Sequence, residues 1–275
     1  MIPPVGRIGD WQGKPRIAER QVQTCGIFVA FEAPGAAPHM PASTNGFPER
    51  IDRLQADLGA QGDRVRRLLE AAFDASFARD VRAAAAAIAL DDDVDRVDVE
   101  IERASVALLS EATATGSLLS QDMLRRVLTI VKVNNELERI ADAGVAVGEL
   151  VNDLAVQNVA LPETIRVMTN SVVGILRDCC SALERNDGHL AKVVLASEDA
   201  VEAFKRAILR DAQTQVSSGK LAVDAAFLVQ ELATLCEIIA GHCTNIAEQA
   251  LYVATGKIVR HMSGRWEEVP LPPGT

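Results

Sequence analysis

Two long stretches of the chain carry apolar residues at alternating steps of three and four, which is the spacing of one face of an α-helix. In the first stretch these positions are Val133, Leu137, Ile140, Gly144, Val147, Val151 and Leu154. Adding 99 to each number gives Leu232, Cys236, Ile239, Cys243, Ile246, Ala250 and Val253, which are again all apolar or small. This spacing is typical of helices that pack nearly parallel to one another. The chain is therefore predicted to contain an internal repeat built from helical bundles.

Proline placement indicates where the predicted helices lie. Seven of the eleven prolines fall at or before Pro48, three follow residue 269, and Pro162 alone lies between them. Because proline disrupts a helix interior, we expect three helices before Pro162 and three from it onwards. The predicted helices span roughly 48–80, 80–114, 119–154, 162–186, 188–216 and 220–254, with glycines or short polar stretches at the turns.

The predicted fold class is all-α, with two tandem three-helix bundles related by the repeat. The first bundle is assigned to residues 47–156 and the second to residues 157–261. Residues 1–46 are rich in proline, glycine and alanine without any periodicity, so we expect a disordered N-terminal extension there. Residues 262–275 are expected to form a flexible tail.

Composition and charge narrow the classes of protein to consider. The chain is 48% hydrophobic but only 4% aromatic, which suits close packing of helices. Its net charge of −10 argues against nucleic-acid binding, which needs a positive field. The sequence offers no apolar run long enough for a membrane span and no convincing signal peptide. Five cysteines without metal-site spacing are interpreted as reduced thiols, so a cytoplasmic protein is expected.

A pair of acids lies beside the first apolar seam, which is the row of apolar positions from Val133 to Leu154; the matching row from Leu232 to Val253 is the second seam. Glu138 and Asp142 are four residues apart, so they share one helix face, where two carboxylates repel each other unless a cation lies between them. Asp95 and Asp98 on the preceding helix could add further oxygen ligands. In an acidic protein such a pair is equally well explained as solvated surface, and spacing alone leaves both interpretations open.

At these residues the chain resembles the PhoU family of phosphate-transport regulators. The segment KVNNELERIADA at 132–143 is similar to the first family signature, and ALDDDVDR at 89–96 fits the second helix. The segment LCEIIAGHCTNIAEQALYVATGKIVRH at 235–261 is closer still, including His242, Asn245, Glu248 and the YxxTG that ends at Gly256. The resemblance runs from about Phe47 to His261 and covers both halves of the chain.

The resemblance implies a fold, a function and a set of metal ligands. It implies two three-helix bundles and negative regulation of phosphate uptake and phosphate-starvation signalling, through contact with a phosphate ABC transporter and a sensor histidine kinase. It also implies a divalent or ferric ion, such as Fe, Zn, Mg or Mn, held by acids. Carried over position by position, the implied ligands are Asp95, Glu138 and Asp142 in the first copy and Glu202 and Glu237 in the second. Gly241 replaces the second aspartate, so the first site is expected to bind metal more readily than the second.

Two classes of function remain to be weighed. The first is a non-enzymatic regulatory module that acts as a homodimer by docking to partner proteins. The alternative is a metal-binding helical bundle with no phosphate role, either a storage protein or a metal-dependent enzyme. The chain has no Gly-rich phosphate loop, no GxSxG and no HExxH, and it lacks the paired Glu-x-x-His of di-iron bundles. We therefore expect a regulator and not an enzyme.

Overall fold

The computed structural model of the chain describes residues 46–262 and 265–268, with side chains up to residue 260. The described elements are α1 (Phe47–Ala78), α2 (Val81–Ile88), α3 (Asp91–Ala114), α4 (Gln121–Val156), α5 (Glu163–Glu184), α6 (Gly188–Ser217), α7 (Val223–Thr255), β1 (Val259–Met262) and β2 (Arg265–Glu268). Apart from Gly46, the extension predicted over residues 1–46 lies outside the described residues.

The helices form two three-helix bundles, as predicted. α1, α4 and the α2–α3 pair pack together in the first bundle, and α5, α6 and α7 pack together in the second. The bundles are joined because α4 packs against α7 and α1 packs against α5. The two repeated seams form the core, since all their residues are buried except Val253, which is half-buried. Cys236 and Cys243 are fully buried in this core.

The second helix of the first bundle is broken, whereas the sequence predicted one continuous helix over 80–114. α2 ends at Ile88, and α3 begins at Asp91 after Ala89 and Leu90. The first turn of α3 consists of three aspartates, which favour a helix N-terminus because they complement its partial positive charge. α2 also packs closely on α4: a Cβ added to Gly148 would lie 2.8 Å from Ile88 Cγ1. The break brings the acidic start of α3 alongside α4.

The YxxTG motif ends the last long helix and ties it to the first bundle. Gly256 adopts φ +73°, a left-handed conformation that glycine accepts without strain, and its N–H donates to the Tyr252 carbonyl. The guanidinium of Arg125, near the start of α4, lies 5.3 Å from the centre of the Tyr252 ring. The motif therefore holds the C-terminus of α7 against α4.

A short antiparallel hairpin follows α7 and was not predicted. β1 and β2 pair with Val259 opposite Glu268 and Met262 opposite Arg265. Arg265–Glu268 falls within the segment that the sequence interpretation assigned to a flexible tail. The available signal was two short strand-like stretches separated by Ser263-Gly264, a spacing typical of hairpins.

Candidate functional site

Five carboxylates lie within one another's electrostatic influence along the contact between α3 and α4. We call this set the acid cluster, and its members are Asp91, Asp95, Asp98, Glu138 and Asp142. The buried faces of the two helices set their positions, since the acids flank buried Val94 on α3 and buried Ile140 on α4. The structure thus brings the three first-copy acids suggested by the sequence, Asp95, Glu138 and Asp142, into one electrostatic environment.

Within the acid cluster, the pKa values of Asp91 and Glu138 are raised, first by burial and then by the charges of neighbouring acids. Partial burial, followed by the nearby charges of Asp95 and Asp142, raises the pKa of Asp91 to about 6. Burial together with Asp142, Asp98 and Asp95 raises the pKa of Glu138. These acids are therefore harder to ionise than isolated carboxylates, which is the condition that a bound cation would relieve.

A buried asparagine links the two helices next to the acid cluster. Asn134, only 2% exposed, donates from Nδ2 to the Asp98 carboxylate at 2.6 Å and to the Asp98 backbone carbonyl at 3.0 Å. Its Oδ1 is buried and has no hydrogen-bond partner among the described residues. Sequence reasoning missed Asn134, although a polar residue directly beside the apolar Val133 of the seam was the available signal.

The donor set of the acid cluster suits a hard cation. Its candidate ligands are carboxylate oxygens, with the unpaired amide oxygen of Asn134 nearby, and Mg²⁺, Mn²⁺ and iron accept such ligands more readily than zinc, which usually takes nitrogen or sulfur. As arranged, the side chains do not converge. Within the described residues, no three Asp, Glu, His or Cys groups lie close enough to coordinate one ion. Binding would therefore require rotamer changes of the exposed carboxylates.

The second bundle contains a built-in positive charge at the corresponding place. Adding 107 to the residue numbers of α3 pairs buried Ile101 with buried Ile208 of α6, and it pairs Asp98 with Lys205. Lys205 Nζ donates to Glu237 Oε2 at 2.6 Å. Glu237 is the counterpart of Glu138, so an ammonium group neutralises the carboxylate that repels its neighbours in the first copy.

The other predicted members of the second site are also engaged elsewhere. Glu202 accepts a hydrogen bond from Arg206 on the same exposed face of α6. No side chain extends from Gly241, and a Cβ added there would meet nothing within 4 Å. Both predicted second-site carboxylates, Glu202 and Glu237, are therefore paired with basic side chains of α6.

His242, one of the residues that carry the family resemblance in the segment 235–261, contacts the first bundle. Its Nδ1 lies 2.7 Å from Glu136 Oε2, and Asn245 Nδ2 donates to the same oxygen at 3.0 Å. Burial raises the pKa of Glu136, but the hydrogen bonds from His242 and Asn245 outweigh it, so that pKa is lowered. This contact joins α4 to α7. Glu136 was missed because the repeat places Leu235 at its counterpart position, so the repeat carried no signal there.

Comparison with known proteins gives a consistent result over both bundles. The PhoU domain matches residues 59–151 and residues 165–250. The chain is 23% identical over 213 residues to the phosphate-specific transport system accessory protein PhoU homolog 1 of Thermotoga maritima, a match covering 77% of this chain and 90% of that protein. It is 27% identical over 216 residues to the PhoU homolog of Caulobacter vibrioides, covering 77% of this chain and 90% of that protein.

Solved structures show the same fold. The crystal structure of the phosphate transport system regulatory protein PhoU from Streptococcus pneumoniae superimposes with a TM-score of 0.71 at 20% identity, covering 78% of this chain and 99% of that one. PhoU from Pseudomonas aeruginosa also gives 0.71, at 22% identity, covering 76% and 99%. The two-bundle architecture is thus shared across almost the whole length of these proteins.

Proposed function

This chain belongs to the PhoU family, and from that premise we propose that it is a negative regulator of phosphate uptake and phosphate-starvation signalling. The observation that carries the proposal is the double match to the PhoU domain, one for each bundle. The relatives described above are named as accessory or regulatory proteins of phosphate transport, and they match this chain over about nine-tenths of their length or more.

We propose that regulation proceeds by docking and not by turnover. The partners would be a phosphate ABC transporter and a sensor histidine kinase, approached from the cytoplasm by a homodimer of this chain. No helix in the described part of the chain is both long and apolar enough to cross a bilayer.

We further propose that the acid cluster binds a hard divalent or ferric cation. Partial burial, followed by the charges of neighbouring acids, raises the pKa values of Asp91, Asp98 and Glu138, and a bound cation would offset both effects. In the second bundle Lys205 supplies the positive charge, so metal is expected at one site in each chain and not at two. When bound, the cation would fix α3 against α4 on this flank of the first bundle.

Gene deletion in the native host tests the regulatory role. Loss of the protein is expected to switch on phosphate-starvation genes while phosphate is still plentiful, and the wild-type gene should restore repression. Normal expression of those genes in the deletion strain would contradict the proposal. If purified protein nevertheless retained metal, that result would favour the alternative, a metal-binding bundle with no phosphate role.

The metal site is tested with two matched double variants. Glu138→Gln with Asp142→Asn removes two charges of the acid cluster, whereas Glu149→Gln with Asp153→Asn removes two exposed acids at the same spacing on the same helix. Elemental analysis of purified protein is expected to show metal in the wild type and the control, but not in the first variant. Equal metal content in all three would rule out the acid cluster as the site.

Partner identity is tested by affinity capture from native membranes followed by mass spectrometry. The proposal expects the transporter ATPase or permease and the histidine kinase to be recovered with the wild-type chain. Recovery of neither, under conditions in which the deletion phenotype is restored by the tagged protein, would refute docking to these partners.

A further inference from the structure

Four exposed apolar side chains lie on the outer surface that α3 and α4 share. Leu124 and Leu128 are one turn apart on α4, so they occupy one face of that helix. Val99 and Val106 are two turns apart on α3 and likewise share a face. The turn at residues 115–120 makes α3 and α4 antiparallel, which places Val106 at the same end of the helix pair as the two leucines. Exposed apolar side chains that are grouped in this way mark a surface for contact with another molecule.

The acid cluster continues this surface towards the other end of the helix pair. Asp142 follows Leu124 by five full helical turns, so the two side chains share a face of α4 at the ends of a span of about 27 Å. On α3, Val99 follows Asp95 by one turn, and Glu102 adds another exposed acid one turn further on. We call this surface the docking face, and it consists of the acid cluster, Glu102, Val99, Val106, Leu124 and Leu128.

The docking face carries a net negative charge. It contains six acids, which are the five of the acid cluster and Glu102, whereas the basic residues Arg103, Lys132 and Arg139 lie at its outer edges. A surface that is acidic at one end and apolar at the other is complementary to a segment with Lys and Arg at one end and apolar side chains at the other.

The second bundle repeats the apolar pair of α4 but not the negative charge. Val223 and Phe227 stand 99 residues after Leu124 and Leu128, and both are exposed. The second-copy acids beside them are paired with basic side chains of α6, as described above. Charge therefore distinguishes the two bundles, and a positively charged partner is complementary to the first bundle alone.

We propose that the docking face binds a Lys- and Arg-rich segment of a membrane protein. Apolar side chains of that segment would lie on the leucines and valines, and its cationic groups would lie on the acid cluster. The inference rests on the proposed docking to a phosphate transporter, because the cytoplasmic loops of membrane-spanning subunits carry an excess of Lys and Arg. It assigns the contact to the membrane-spanning subunit of the transporter and to the first bundle of this chain.

The probe is a set of fluorescein-labelled peptides that together cover the cytoplasmic loops of that subunit in the native host. Binding to the purified chain is followed by fluorescence anisotropy at low salt, with a chelator present so that no cation competes for the carboxylates. At least one Lys- and Arg-rich peptide is expected to bind the wild type. Raising the salt concentration should weaken this binding, because salt screens the attraction between exposed charges.

The contribution of the apolar residues is measured with two matched double variants. Leu124→Asn with Leu128→Asn should weaken binding of that peptide by about ten-fold or more, because a few apolar anchors carry most of the affinity of such contacts. Val223→Asn with Phe227→Asn makes the equivalent change in the second bundle and should leave the affinity unchanged.

The contribution of the acids is measured in the same way. Glu138→Gln with Asp142→Asn should weaken binding by about three-fold or more, the value of two partly exposed ion pairs. Asp224→Asn with Glu231→Gln removes two exposed acids of α7 in the second bundle and should have little effect. Circular dichroism of each variant would establish that the helices are retained.

Several outcomes would overturn the proposal. These are failure of every loop peptide to bind the wild type, equal loss of affinity from the apolar variants of both bundles, and unchanged affinity after Glu138→Gln with Asp142→Asn. Light scattering tests for another occupant: if Leu124→Asn with Leu128→Asn converted a wild-type dimer into a monomer, the docking face would bind a second copy of this chain instead.

Complementation of the deletion strain separates this inference from the proposed function. The Leu124→Asn with Leu128→Asn chain is expected to accumulate to the wild-type level and yet to leave phosphate-starvation genes switched on. Full repression by that chain would overturn the docking face and leave the regulatory proposal intact. Absence of any deletion phenotype would contradict the regulatory proposal, whereas the docking face stands or falls with the peptide measurements.

Discussion

The same substitution at two equivalent positions is expected to change stability in opposite directions. Glu138→Gln and Glu237→Gln each remove one carboxylate charge, at positions 99 residues apart on the matching faces of α4 and α7. Glu138 lies among like charges, whereas Glu237 is paired with Lys205. The two substitutions therefore separate the effect of the local charge environment from the effect of the chemical change itself.

The magnitudes follow from the contacts. Burial and then the charges of Asp142, Asp98 and Asp95 raise the pKa of Glu138. Each like-charge neighbour on a helix costs about 0.2–0.5 kcal/mol of stability. Removing the charge of Glu138 should therefore raise the free energy of unfolding by about 1 kcal/mol. The side chains of Lys205 and Glu237 are 20% and 34% exposed, so their ion pair is intermediate between a surface pair and a buried pair. Glu237→Gln should therefore lower the free energy of unfolding by about 1–2 kcal/mol.

The assay is urea unfolding at neutral pH and low salt, with a chelator present so that no cation offsets the repulsion. In a chain of this size 1 kcal/mol corresponds to a shift in Tm of about 2–4 °C, so thermal scans provide a second measure. Glu149→Gln is the control. It removes the charge of an exposed acid on the same helix, α4, and should change stability little. Added salt should reduce the gain from Glu138→Gln, because it screens exposed charges.

Changes of the same sign at both positions would refute this reasoning. It would then follow that the acid cluster is adequately solvated and that Lys205 does not substitute for a cation. Without the chelator, added Mn²⁺ should stabilise the wild type and Glu237→Gln, but not Glu138→Gln, because a ligand stabilises only a folded state that binds it.

Three further predictions concern pH and packing. The raised pKa of Asp91, about 6, means that the folded chain holds this proton more tightly than the unfolded chain, so stability should fall as pH rises from about 4 to about 6. Because solvent screens this half-exposed carboxyl group, the expected loss of stability is about 1 kcal/mol. In a pH–denaturation profile, Asp91→Asn should abolish this loss. The pKa of Glu136 is lowered, so its effect on stability has the opposite sign. Its contact with His242 stabilises the fold at pH values above the ordinary glutamate pKa, and this stability is lost as pH falls through the lowered pKa of the folded chain. Glu136→Gln should therefore lower the free energy of unfolding by about 1 kcal/mol at neutral pH and reduce the loss of stability on the acid side of a pH–denaturation profile. Gly144→Ala places a Cβ 2.4 Å from a leucine methyl carbon and should lower stability by about 1–3 kcal/mol. Gly174→Ala meets no atom within 4 Å and should raise stability by up to about 1 kcal/mol. Thermal unfolding measures both changes.

The seams explain why most of the fold could be predicted from sequence. A residue such as Leu137 or Cys236 is apolar, recurs at helical spacing and is fully or almost fully buried, so local pattern and tertiary position agree. The break at Ala89–Leu90 escaped prediction because both residues suit a helix. Beside the break, Ile88 packs against Gly148, which is a contact between helices far apart in sequence that local pattern does not reveal.

The candidate site, like the fold, could be predicted from sequence only where the signal lies within one helix or in the family resemblance. Glu138 and Asp142 were found because they share a helix and a spacing, and Asp95 was found through family resemblance. Lys205 and Glu136 were missed, because each acts through a partner on another helix: Glu237 for Lys205 and His242 for Glu136. Their roles depend on helix packing, which spacing within one helix does not report.

Uptake of radiolabelled phosphate by cells of the native host, grown with plentiful phosphate, tests the central claim most directly. If the chain restrains phosphate transport, cells lacking it should take up phosphate faster than the parent strain, and expression of the wild-type chain should return the rate to the parental level. An uptake rate that is unchanged by deletion and by re-expression would contradict the account.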